Sequence, residues 1–321
     1  MSTHTSWKER IAIGAVMLLC ALLVVVIALY LWPHEDQRLQ FAEETTMEYE
    51  QAMTAANDAV EQDTADESVK SNCRSIVRTS GERAEQAIVL FHAQNACPSQ
   101  LAPLADAFFE AGYNVYVPRA PQHGTTDASA YADVTALDLS GHARDAVTIA
   151  TGLGERVGVG GHAEGALLAT WVSQYRADVV ERLLAISPQY EPIQPLVPEW
   201  AALPFLTLHS NGWWPDRVIE TEDGSQRSHK AASQYETLAR SFRRPPTNKL
   251  HRIVLVLAKD DETIREPKAV AMIDELKANS SADASYRELL LPPSLKLGHQ
   301  AGIENPAPDE KLLGRMVDLY K

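Results

Sequence analysis

From about residue 73 to the C-terminus, short apolar runs of β-favouring residues alternate with stretches of helical periodicity, and no other feature restricts the fold so tightly. Residues 87–91 (AIVLF), 114–117 (NVYV), 156–159 (RVGV), 182–186, 253–257 (IVLVL) and 288–291 read as strands. Helices are expected over 141–153, 166–175, 267–279 and 310–320, and Leu101, Leu104, Ala105 and Phe108 recur at helical spacing before Gly112. A continuous apolar strand is one buried on both faces, so the expected fold is α/β: a mostly parallel sheet flanked by helices. Residues 190–247 interrupt the alternation with prolines, charges and the adjacent Trp213 and Trp214. An insert there would cover the carboxyl ends of the strands, where open α/β sheets bind ligands. It is expected to be a cap, with the tryptophan pair either lining a substrate pocket or fastening the cap down.

A second feature concerns the solvent rather than the fold. Residues 11–32 contain no charge and, as a helix, would extend about 33 Å, enough to cross a bilayer core. The run is too long for a cleaved signal peptide and no A-x-A-like site follows it; Leu19 before Cys20 argues against a lipoprotein signal. Residues 11–32 are therefore expected to be an uncleaved anchor, with Trp7, Tyr30 and Trp32 at its interfaces. Lys8 and Arg10 before it, and Glu35 and Asp36 after it, predict that residues 1–10 are cytoplasmic and the main domain is periplasmic or extracellular. Residues 33–70, polar and acidic with no strong apolar stripe, are expected to be a partly helical stalk, leaving 71–321 as the domain. The chain's formal net charge of −14 makes nucleic acid an improbable partner. Cys73 and Cys97 can form a disulfide in an external domain or remain buried thiols; the external location favours the bridge.

The chemistry concentrates at strand ends. Gly160-Gly161-His162-Ala163-Glu164-Gly165 follows one strand and opens a helix. Glycines at both ends let the backbone turn sharply enough to hold the middle residue exposed. That residue, Ala163, has a methyl group and cannot attack a carbonyl. Asp261 follows the IVLVL strand and His299 the last strand, in the order nucleophile site, acid, base; Asp260 is the alternative acid. The segment beginning His92-Ala93-Gln94 sits where an oxyanion loop would be, with the backbone N–H groups of Gln94 and Glu164 as donors. There is no H-E-x-x-H, phosphate loop or dinucleotide fingerprint, and no metal or cofactor is expected.

At these residues the chain resembles the α/β-hydrolase superfamily, nearest to its small serine esterase/lipase-like members. HAQNACP (92–98), PRAPQHG (118–124) and GHAEG (161–165) stand where those members carry H-G-x-T-x-C-P, P-R-x-P-x-H-G and G-x-S-x-G. The resemblance implies ester hydrolysis by a Ser-Asp-His mechanism on a small acyl-ester-like ligand in a capped pocket. Two departures matter: Ala163 replaces the serine, and Ala93 replaces a glycine of the oxyanion turn. Two readings stay open, a serine hydrolase whose serine has been exchanged for alanine, and a natural pseudohydrolase that binds a ligand or partner. A structural role in a membrane assembly is a weaker third, and no protein partner is named by the sequence.

Overall fold

The computed structural model describes residues 6–194, 196–220, 226–243, 248–303 and 308–321. Parts of the expected cytoplasmic N-terminus (1–5) and of the cap insert (195, 221–225, 244–247) lie outside the described residues. Chain order begins with helix α1 (Trp7–Leu31), which starts in a capping box between Ser6 and Glu9, then α2 (Tyr49–Ala65), strands β1 (Ile76–Arg78) and β2 (Ala84–Phe91), α3 (Ala102–Glu110) and β3 (Tyr113–Val117). Next come α4 (Ala136–Leu153), β4 (Gly154–His162), α5 (Glu164–Tyr175) and β5 (Val180–Ile186). The insert holds α6 (Ala202–Ser210), β6 (Val218–Glu220), β7 (Gln226–Ser228) and α7 (His229–Arg240); β8 (Arg252–Ala258), α8 (Glu266–Ala278), β9 (Ser285–Leu291) and α9 (Glu310–Tyr320) complete the fold.

Among the described residues the main sheet has seven strands in the order β1-β3-β2-β4-β5-β8-β9, with β1 antiparallel at one edge and the rest parallel. This is the expected α/β-hydrolase fold. The sheet separates two apolar layers because successive side chains point to opposite faces. Along β2, Val89 and Phe91 join α4 and α5, while Ile88 and Leu90 join α3 and α9. Strand order reverses between β2 and β4, so a crevice opens at their carboxyl ends. The strands run past the apolar runs that announced them: β4 begins at Gly154 rather than 156 because backbone pairing with β2 starts there.

The expectation of a spacing stalk over 33–70 is corrected by the structure. Helix α2 lies on α4 with Ala52 and Ala56 fully buried, and a Cβ built on Gly152 of α4 would fall 2.5 Å from the Ala52 Cβ. Small residues let the two backbones approach closely, so the contact carries no strong apolar stripe. Polar bonds do the rest. The Leu39 carbonyl accepts from Trp171 Nε1 at 2.8 Å, and the Thr45 carbonyl from Arg176 Nη2 at 2.7 Å. The buried Asp63 carboxylate accepts from Ser75 N, Ser75 Oγ and Arg119 Nε, each at 2.7 Å. Cys73 and Cys97 are disulfide-bonded, with their Cα atoms 5.2 Å apart, and Cys20 is free.

Asp63→Ala leaves Arg119 without its buried carboxylate and should destabilise the full-length protein by about 3 kcal/mol. Urea unfolding in detergent measures it; an unchanged midpoint would return 33–70 to the status of a detached stalk.

Candidate active site

The site is organised by the turn from β4 into α5. Ala163 adopts φ 52°, ψ −118°, a conformation rarely taken by residues other than glycine. The flanking glycines make it possible: a Cβ on Gly161 would meet the Gly165 carbonyl at 2.3 Å, and one on Gly165 would meet the Phe91 carbonyl oxygen at 2.0 Å. Ala163 N donates to the Ile186 carbonyl at 3.0 Å, and its own carbonyl accepts from Ala166 N, Leu167 N and Gln189 N.

The loops after β8 and β9 meet over this turn. His299 Nδ1 lies 2.8 Å from Asp261 Oδ2, and Asp261 Oδ1 accepts from Thr263 N at 2.8 Å. Burial pushes the Asp261 carboxyl up, but the hydrogen bond and charge of His299, with the Thr263 amide, outweigh it and hold its pKa below the ordinary value. With Nδ1–H given to the carboxylate, His299 Nε2 is left with the lone pair a general base needs. The alternative acid, Asp260, is engaged otherwise: its Oδ2 accepts from Gly298 N at 3.2 Å and so steadies the loop that carries His299.

Gln100, which the sequence reading did not single out, links three parts of the site. Its Oε1 accepts from Ala93 N at 3.1 Å, and its Nε2 lies 3.2 Å from His162 Nδ1 and 3.5 Å from Gln300 Oε1. His162 Nε2 is 2.8 Å from the His299 carbonyl, and the two rings sit 4.9 Å apart. These partners select one tautomer, in which His162 accepts from Gln100 at Nδ1 and donates from Nε2. His92 has the opposite one: Nε2 accepts from Ala120 N at 3.1 Å, leaving Nδ1 to donate to the Ala93 carbonyl at 2.8 Å.

The expected oxyanion donors meet an unexpected neighbour. Gln94 N donates to Glu164 Oε2 at 3.3 Å and Gln94 Nε2 to Glu164 Oε1 at 3.0 Å. The Glu164 carboxylate is 1 % exposed and needs such donors. The cap adds a countercharge rather than a hydrogen bond: Arg227 of β7 is 3 % exposed and its Nη1 forms an ion pair with Glu164 Oε1 at 3.4 Å. The sequence brought the backbones of residues 94 and 164 together, but nothing in it announces the Glu164 side chain as the partner of Gln94 or the arrival of Arg227 from the cap. An oxyanion formed here would compete with the Glu164 carboxylate for the Gln94 amide. Trp213 and Trp214 do not line a closed pocket; they are 52 % and 58 % exposed. Among the described residues no group of three or more His, Cys, Asp or Glu is arranged to hold a metal ion.

Burial pushes the His123 pKa down to about 4 and that of His162 down to about 3, and that of His92 is well below the ordinary value for the same first cause. Each histidine titrates near 6.5 when unfolded, so below that pH the unfolded chain binds protons the folded one refuses, and stability falls. From pH 7 to pH 5 the loss should be about 2 kcal/mol per such histidine. Urea midpoints measured between pH 7 and pH 5 should drop steeply; a flat profile would contradict neutral burial.

Comparison with known proteins agrees with this fold. A family model described as the alpha/beta hydrolase family matches residues 88–304. No curated protein matches the sequence. Among solved structures, one from the metagenome-derived lipolytic enzymes LipS and LipT superposes with a TM-score of 0.60 at 18 % identity, covering 78 % of this chain and 98 % of that one. Paleococcus ferrophilus monoacylglycerol lipase gives 0.57 at 16 % identity, covering 76 % and 97 %. A soluble variant of monoglyceride lipase from Saccharomyces cerevisiae, in complex with a substrate analog, gives 0.55 at 9 % identity, covering 76 % and 88 %. Identities this low speak for the fold alone, whereas the family match spans the turn at Ala163, Asp261 and the loop of His299: the chain belongs to the alpha/beta hydrolase family.

Proposed function

We propose that this protein is a membrane-anchored member of the family whose site is shaped for carboxylic ester hydrolysis by a hydroxyl at position 163, Asp261 and His299, and that with alanine there it does not turn esters over. The observation that carries the reading is the Asp261–His299 pair, 2.8 Å apart and hydrogen-bonded through His162 to the strained turn. A hydroxyl at position 163 would attack the ester carbonyl and pass its proton to His299 Nε2, which returns it to the departing alcohol. The lipolytic character of similarly folded proteins supports an acyl-ester ligand.

Helix α1 is the anchor in this reading: its 25 residues are long and apolar enough to cross a membrane and none is buried. Lys8 and Arg10 favour a cytoplasmic N-terminus, which places the domain and its Cys73–Cys97 disulfide outside. A second reading, a pseudohydrolase that binds rather than cleaves, is favoured by Ala93 and by the Glu164 carboxylate on the Gln94 amide.

The full-length protein should hydrolyse short-chain p-nitrophenyl esters at background rate, because loss of a triad nucleophile costs on the order of 10⁶ in turnover. Ala163→Ser should gain activity that His299→Ala removes again. A folded, inactive Ala163→Ser protein would favour the binding reading, and strong activity in the unmodified chain would refute the assignment of position 163.

A further inference from the structure

The cap carries three of the chain's six tryptophans, and all three face outward. Trp200, just before α6, is 73 % exposed; Trp213 and Trp214, just after it, are 52 % and 58 % exposed. A soluble surface gains nothing from three exposed indoles in one short stretch, and indole is the side chain most suited to the membrane interface.

Their position relative to α1 gives the pattern its meaning. Tyr30 Oη donates to the Trp200 carbonyl at 2.8 Å, Thr207 Oγ1 in the middle of α6 donates to the Leu29 carbonyl at 2.8 Å, and the Trp32 and Trp213 rings pack edge to face at 4.6 Å. Both ends and the middle of the α6 segment thus meet Leu29 to Trp32, the last turn of α1 and the residue after it, a span of only about 4.5 Å along the helix axis. Helix α6 alone is about 13 Å long. The α6 segment therefore gathers at the end of α1, where the anchor would leave a bilayer. The inner face of α6 is already occupied, since Ala202, Phe205 and Leu206 pack with Ile193 and Ala232. Trp200, Trp213 and Trp214 remain on the side turned to solvent, at the depth where Tyr30 and Trp32 end the anchor.

We propose that the cap is seated in the bilayer, with Trp200, Trp213 and Trp214 inserted in the lipid interface beside the end of α1. The partner is the lipid surface itself, in the leaflet where the anchor emerges. This inference rests on the reading of α1 as an anchor. It places the cap, and not only the tether, against lipid, so an amphiphilic ester would meet the cap without first crossing bulk water.

The test uses the full-length chain, with Trp7→Phe and Trp32→Phe, in phosphatidylcholine vesicles. The cap tryptophans and the buried Trp171 then supply the emission. Lipids brominated near the headgroup end of the acyl chain should remove roughly half of the emission or more, and aqueous iodide little of it. The bromolipid quenching should vanish when Trp200, Trp213 and Trp214 are also changed to phenylalanine. Flotation of the vesicles at alkaline pH reports the anchor separately. A chain that floats, yet is quenched by iodide and not by bromolipid, overturns the seated cap and leaves the anchor standing. A floating chain shielded from both quenchers places another protein surface on the tryptophans and overturns it too. A chain that does not float overturns both readings.

Discussion

One backbone turn sets the positions of everything chemical in this protein. Ala163 holds a conformation that costs an L-residue about 1–3 kcal/mol. It persists because β4 runs into α5 with Gly161 and Gly165 in contact and no room for a side chain on either. The Ala163 amide is tied to β5 and its carbonyl to α5 and Gln189, so the residue is fixed from both sides. A turn of this kind is expensive to keep without a use, and here, contrary to the exposed position expected from the sequence, it carries a methyl group that is fully buried. The strain and its supports are what the proposed reading of position 163 as a nucleophile site rests on.

Around the turn, buried polar groups are arranged so that each hydrogen bond dictates the next. The Ala93 amide fixes Gln100, Gln100 fixes the His162 tautomer, and His162 reaches the backbone of His299, whose ring is oriented by Asp261. A chain of bonds in which every donor meets an acceptor resists rotation of any member, and low dielectric raises the cost of breaking it. Glu164 is the exception. Its carboxylate is buried beside the turn, bonded by Gln94 and paired with Arg227 from the cap, which couples the cap to the Glu164 site. That coupling bears directly on whether an oxyanion can use the Gln94 amide.

Much of this was legible in the sequence, and the remainder was not for identifiable reasons. Strands such as AIVLF announce themselves because burial on both faces demands uninterrupted apolar residues. Asp261 and His299 could be paired because a parallel sheet brings all its carboxyl ends to one side. Residues 33–70 misled because their contacts rely on Ala52, Ala56 and Gly152, whose smallness permits close packing yet leaves no strong apolar stripe. Gln100, Glu164 and Arg227 act through partners far away in sequence, and no local pattern encodes such a meeting. Trp213 and Trp214 were conspicuous, but only the fold shows that they face outward beside the end of α1.

The central claim is that position 163 lacks a hydroxyl in a site otherwise able to activate one. A fluorophosphonate, which bonds covalently to an activated serine, tests it by intact mass and peptide mapping. The account predicts one adduct on Ala163→Ser, located at position 163, abolished by adding His299→Ala, and none on the unmodified chain. An adduct on the unmodified protein would contradict it. Ser187 would be the first residue to inspect, since it lies one strand away at the end of β5, buried, with a φ of 42° and no hydrogen-bond partner for its hydroxyl.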